Sequence, residues 1–306
     1  MKSTETFLSA DGKTHILSYW YVPESPRAVV RICHGMSEHI GRRGYDALAL
    51  LLEEKGYAVC AHDYIGHGGS AGKKEDLGHF GDRQGAEYLL GDVQKLGMLA
   101  AKRFPGIKQA IIGHSMGSLI TRKYLAEHPG EAACAVIMGT LGPLPAAPVA
   151  LTAAKIITAA EGPRSYSKLL YNMAFGSYLK RIPDPKSEFS WLSTDEREVE
   201  AYDADKLCGF PFTNAAMVDL ISIYAAVSRR DWAGKLSKKT PLLFLSGSED
   251  PCGGYGKGVR KIYDRVKNAG IPAELKIFEG ARHELLNERC REDVFAGILG
   301  FLDKTL

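Results

Sequence analysis

No apolar run in this sequence is long and clean enough to cross a bilayer. The longest apolar stretch, residues 144–160, is interrupted by Pro145, Pro148 and Lys155, whereas a spanning helix needs about 20 consecutive apolar residues. No apolar segment follows the opening Met1-Lys2-Ser3-Thr4-Glu5-Thr6. A secretory leader is therefore not expected, and the protein reads as cytoplasmic, with at most a peripheral membrane contact. An excess of one charge is also missing: 39 Lys and Arg stand against 36 Asp and Glu, for a formal net charge of +3. A nucleic-acid partner, which needs a concentrated basic face, is set aside. Cysteine is sparse. The six cysteines form no C-x-x-C pair, and Cys33, Cys60 and Cys134 fall in apolar runs, as reduced core thiols would. Histidines at 34, 39, 62, 67, 79 and 114 show no H-E-x-x-H spacing, so no metal and no cofactor are expected.

What is present is an alternation of strand and helix. Across 306 residues it allows one large α/β domain or two ordinary ones. Short β-rich runs occur at 16–22, Ala28–Cys33, 58–62, 109–113 and 134–139, with helical periodicity at 46–55, Gly85–Arg103 and 116–128. From Ala28 onward the strands are nearly continuous in apolar character, as strands covered on both faces are. Asp11-Gly12 separates runs 4–9 and 16–22 and signals an antiparallel hairpin at the sheet edge. The alternation stops near Thr140 and resumes with strands 241–246 and Ala273–Phe278 and helices 256–269 and 291–304. The simplest architecture is a mostly parallel central sheet flanked by helices, in two parts (1–141 and 240–306), interrupted by a helical cap (142–239).

One motif carries chemistry. Gly113-His114-Ser115-Met116-Gly117 places G-x-S-x-G between a β run and a helix. A serine on so tight a turn has its hydroxyl exposed above the sheet, beside the amide-rich start of the helix. A hydroxyl needs a base. The runs after the two late strands supply an acid and a histidine in the right chain order: Glu249-Asp250-Pro251, then Arg282-His283-Glu284. Ser115 is expected as nucleophile and His283 as base, with Asp250 or the competing Glu249 as the acid that orients it. The amides of Met36 and Met116 are the expected oxyanion donors.

Three segments then occur in order: His34-Gly35-Met36-Ser37-Glu38-His39, Asp63-Tyr64-Ile65-Gly66-His67-Gly68-Gly69-Ser70 and the Ser115 motif. As a set, with Gly247-Ser248-Glu249-Asp250-Pro251 and residues 281–288, they resemble the monoacylglycerol lipase and lysophospholipase group of α/β-hydrolases. The resemblance covers the whole core. It implies the α/β-hydrolase fold, a lid at 142–239 and a lipid ester substrate with one acyl chain. It places the orienting acid at Asp250, in the Asp-Pro turn, and implies head-group contacts from Gly35, Glu38 and His114, and from Arg42 or its neighbour Arg43. Leu286 stands where mammalian-type members carry a second histidine, which loosens the link to a glycerol head group. His34 and His67 read as loop-shaping residues. Apolar cap side chains such as Leu144, Leu170, Met173, Met217 and Ile221 are expected mainly to form the cap's own core, with a minority reaching substrate. The stretch 148–160 reads first as a helix packed on the sheet and second as a face turned toward a membrane or micelle.

Other readings are weaker. Gly253-Gly254-Tyr255-Gly256-Lys257-Gly258 lacks the Ser or Thr of a phosphate loop. Ser115 argues against relatives that use an aspartate nucleophile. A short-chain esterase, a thioesterase or a peptidase would share the same machinery. A silent binding protein of the same fold usually lacks one of the three catalytic residues.

Overall fold

The computed structural model describes residues 2–306. The hairpin forms at the start of the chain, from β1 (Lys2–Leu8) and β2 (His15–Tyr21). Then β3 (Ala28–Cys33), α1 (Arg43–Glu54), β4 (Tyr57–His62), α2 (Gly85–Arg103), β5 (Gln109–His114), α3 (Met116–Glu127) and β6 (Cys134–Met138) alternate. Four helices follow without a strand: α4 (Ala147–Glu161), α5 (Lys168–Phe175), α6 (Glu196–Ala204) and α7 (Asn214–Ser228). The alternation returns with β7 (Leu242–Gly247), α8 (Lys257–Asn268), β8 (Ala273–Phe278) and α9 (Arg291–Thr305).

All eight strands join one sheet in the order β1-β2-β4-β3-β5-β6-β7-β8. The β1–β2 and β2–β4 pairings are antiparallel, and every pairing from β4 to β8 is parallel. The continuous apolar strands follow from this topology. Ile111, Ile137 and Phe244 point to the face covered by α2, α3 and α8, where Leu89, Leu119 and Ile262 meet them. Their chain neighbours Ile112, Val136 and Leu243 point to the opposite face, under Leu48 of α1 and Ile298 of α9. Successive side chains enter different cores, so neither parity can be polar. Cys33, Cys60 and Cys134 are buried strand residues.

Strand positions fall within a residue or two of the sequence expectation, while α1 begins earlier, at Arg43 rather than 46. One expectation is corrected. Helix α4 packs against α7 instead of lying on the sheet, and only Ala147 and Ala154 of its residues are buried. Among the described residues no helix is long and apolar enough to cross a membrane.

Candidate active site

Strand β5 ends at His114 and α3 begins at Met116, so the reversal falls on Ser115. Its backbone takes φ 51° and ψ −118°, a conformation that costs a residue with a side chain on the order of 1–3 kcal/mol. The flanking glycines are required by contact. A Cβ on Gly113 would press into Thr121 and the Gly117 carbonyl, and one on Gly117 would strike the carbonyl oxygens of Cys33 and His34.

Asp250 and His283 follow β7 and β8, and these strands are parallel neighbours. Pairing therefore brings together two loops distant in sequence. His283 Nδ1 lies 3.0 Å from Asp250 Oδ1, which also accepts the Cys252 N–H at 2.8 Å. Both side chains are buried, whereas Glu249 is exposed. His283 Nε2 makes no hydrogen bond to any described residue. It faces, with Ser115, a cavity of about 490 Å³.

Gly35, Met36 and Met116 stand at the same cavity wall. The loop that carries the first two is tightly held. Glu38 Oε1 accepts the Gly35 N–H at 2.6 Å and the Tyr45 hydroxyl at 2.7 Å. His34 bonds the Gly35 carbonyl through Nδ1 at 2.7 Å and takes the Tyr64 N–H on Nε2 at 3.0 Å. His67 Nε2 accepts from Ser37 N–H at 3.4 Å. Burial pushes His34 down to about 4 and His67 down to about 3, so both act as neutral loop-shaping rings. Asp63 ties the second motif to the first by accepting the Ile40 and Gly69 amides, each at 2.8 Å.

Arg42, and not Arg43, enters this cluster. Its guanidinium bonds Glu38 Oε2 at 2.5 Å and grips both oxygens of Glu284. Arg43 instead reaches Glu198 near the surface. Gly35, Glu38 and His114 line the cavity, but Arg42 does not. Arg42 stands behind that wall, with its donors engaged by two buried carboxylates. The apolar lining is also larger than expected: Leu144, Leu170, Met173, Phe175, Met217, Leu220 and Ile221 all face the cavity.

The family described as serine aminopeptidase, S33 (Hydrolase_4), matches residues 24–290. This chain belongs to that family. Human monoglyceride lipase is 32% identical over 284 residues, spanning 92% of this chain and 83% of the human one. The monoacylglycerol lipase of Mycolicibacterium smegmatis is 30% identical over 288 residues, with 94% and 92% covered. Among solved structures, a carboxyl esterase from Bacillus coagulans in complex with glycerol superposes with a TM-score of 0.94 at 28% identity, over 99% of this chain and 98% of that one. Family membership and these ester-cleaving relatives make the chain an α/β-hydrolase enzyme of the ester-hydrolysing class.

Several residues at the site lie outside the family motifs. The Trp191 ring packs 5.0 Å from that of His283. Tyr178 bonds the Cys252 thiol beside Asp250, and burial pushes both groups up. Neither Trp191 nor Tyr178 belongs to a motif, and periodicity could not have found them. The family segment 281–288 has a second role that was legible only as a likeness. Arg282 donates to the carbonyls of Ser190 and Ser193 at 2.6 and 2.9 Å. Glu284 N–H donates to Leu192 O at 2.7 Å, and Glu288 accepts the Thr194 N–H at 2.9 Å. The loop that carries His283 is thereby fastened to residues 190–194.

Proposed function

We propose that this hydrolase cleaves single-chain lipid esters, monoacylglycerols or lysophospholipids, through an acyl intermediate on Ser115. The observation that carries the reading is the Ser115 turn opening into an apolar cavity lined at its polar end by His283, which is paired behind the wall with Asp250. In the first step Ser115 Oγ bonds to the ester carbonyl carbon as His283 Nε2 takes its proton. Asp250 keeps the Nδ1–H tautomer and stabilises the imidazolium. The Met36 and Met116 amides receive the charge that develops on the carbonyl oxygen. The intermediate then collapses. The C–O bond to the alcohol breaks, and His283 returns its proton to the departing oxygen. Water, deprotonated in turn by His283, attacks the acyl carbon and frees the acid.

Residues 142–239 act as the cap over this site. The acyl chain lies along Leu170, Met217, Leu220 and Ile221, while Gly35, Glu38 and His114 face the head group. A volume of about 490 Å³ is within the range of ordinary ligand sites, roughly 300–1,000 Å³. The apolar lining and the monoglyceride lipase relatives support the lipid assignment.

The test is a hydrolysis panel of monoacylglycerols, lysophosphatidylcholine, simple esters of graded chain length and an aminoacyl amide. It is run with a fluorophosphonate probe on the unaltered chain and on Ser115→Ala and His283→Ala. Long-chain monoesters are expected to be preferred, and each variant should lose on the order of 10⁴-fold or more in turnover. A preference for acetate and butyrate esters would defeat the lipid assignment alone. Full turnover by Ser115→Ala would defeat the serine mechanism.

A further inference from the structure

The imidazole of His114 is buried between two groups that only accept hydrogen bonds. Its Nδ1 is 3.1 Å from Glu38 Oε1, and its Nε2 is 3.3 Å from the backbone carbonyl oxygen of His283. A neutral imidazole carries one N–H and would turn a lone pair toward either the carboxylate or the carbonyl. Among the described residues, Tyr45 is the one neighbour placed to donate to Nδ1, at 3.0 Å. It has a single proton, and its closer acceptor is Glu38 Oε1 at 2.7 Å. With the Tyr45 proton given to that closer carboxylate oxygen, the ring is satisfied on both sides only when both nitrogens are protonated.

We infer that His114 is a standing imidazolium and a positioning residue: its two N–H groups join Glu38, which holds the oxyanion loop through Gly35, to the main chain of His283. The claim about His283 rests on the reading of that residue as the base. The charge balance agrees with the geometry. Burial alone would push His114 down, but the hydrogen bond and charge of Glu38 carry it above the ordinary histidine value. Glu38 is held well below the carboxylate range in spite of its burial, by His114 and Arg42. Glu38 and Glu284 are then matched by Arg42 and His114.

This cation has a consequence for the base. The rings of His114 and His283 are 4.9 Å apart, and a fixed positive charge at that range opposes protonation of His283. Other charged or titratable groups face the pair from every side. His34, Glu38 and Arg42 come from the loop after β3, Tyr45 from α1, Glu284 from the base loop, Asp250 and Cys252 from the acid loop, and Tyr202 from the cap. Removing the His114 charge leaves this group one unit more negative and takes away that opposition to a charge on the base.

Two measurements test the inference. The first needs no turnover: ¹⁵N spectra of histidine-labelled Ser115→Ala protein at pH 8, with the His114 signals identified by their loss in His114→Asn. Both His114 nitrogens are expected at protonated shifts, and a lone-pair shift on either overturns the proposal. The second is the pH dependence of kcat/KM for a soluble p-nitrophenyl ester. In His114→Asn, or in His114→Gln if that variant folds better, the acid limb is expected to move to higher pH. A lower plateau with an unmoved acid limb marks a merely structural role and also overturns it. Failure of the wider mechanism shows separately, as turnover retained by Ser115→Ala.

Discussion

At the scale of single residues, the site depends on how little space surrounds Ser115. Its positive φ is tolerated because Gly113 and Gly117 let a strand end and a helix start almost touch. Gly117→Ala would drive a methyl group into the carbonyl oxygens of Cys33 and His34. Both are backbone atoms and yield poorly, and they stand at the end of β3 and the start of the loop that carries the Met36 amide. We expect a loss of stability of about 1–3 kcal/mol in urea and at least a hundredfold slower fluorophosphonate labelling. Labelling at the unaltered rate would show that the turn is less constrained than its contacts indicate. Ser115 and His283 could be singled out in the sequence by position and chain order, and Asp250 over Glu249 by the family likeness. The turn and the Asp-Pro pair leave traces over adjacent residues. Trp191 left none, because its contact with His283 is set by packing between segments far apart in sequence.

Secondary-structure elements show the same division. Strands β3 to β7 could be read from the sequence because both of their faces are apolar. The hairpin could be read from Asp11-Gly12. Helices α4 to α7 could not be separated, because they pack on one another without the regular punctuation of a β-α-β unit. One contact between them and the core has a measurable signature. The N-terminus of α2 has no side-chain cap of its own. Asp219 from α7 takes that place and accepts the Ala86 and Gly85 amides. Burial outweighs those bonds and pushes the carboxyl up to about 7, against about 3.9 in an unfolded chain. Between these values the folded protein keeps a proton that the unfolded chain releases. The contribution of Asp219 to stability is therefore present below about pH 4 and lost as pH rises through about 7. Asp92, pushed up to about 6 by burial, acts with the same sign. Urea unfolding across this window should show a slope that Asp219→Asn reduces by up to about 1.4 kcal/mol per pH unit. An unchanged slope in the variant would remove Asp219 from the account.

At the scale of the whole molecule, the helices between β6 and β7 leave several large apolar side chains uncovered. Val149 and Ile156 on α4 are 73% and 64% exposed, and Leu169 on α5 is 59% exposed. None of the three lines the cavity. Together they support the proposal that the cap meets a lipid surface. Val149→Glu combined with Ile156→Glu should weaken co-sedimentation with phosphatidylcholine vesicles and slow turnover of micellar monoacylglycerol several-fold. Hydrolysis of a soluble butyrate ester should stay the same, and equal effects on both substrates would count against the surface. The tie between residues 282–288 and 190–194 sets a rule for chimeras. A foreign lid grafted between β6 and β7 must present backbone carbonyls where Arg282 ends and an amide where Glu288 accepts. Without them the graft would slacken the loop that carries His283, however well its own helices folded. The seam for exchanging lids therefore runs along these hydrogen bonds as well as through the two places where the polypeptide is cut.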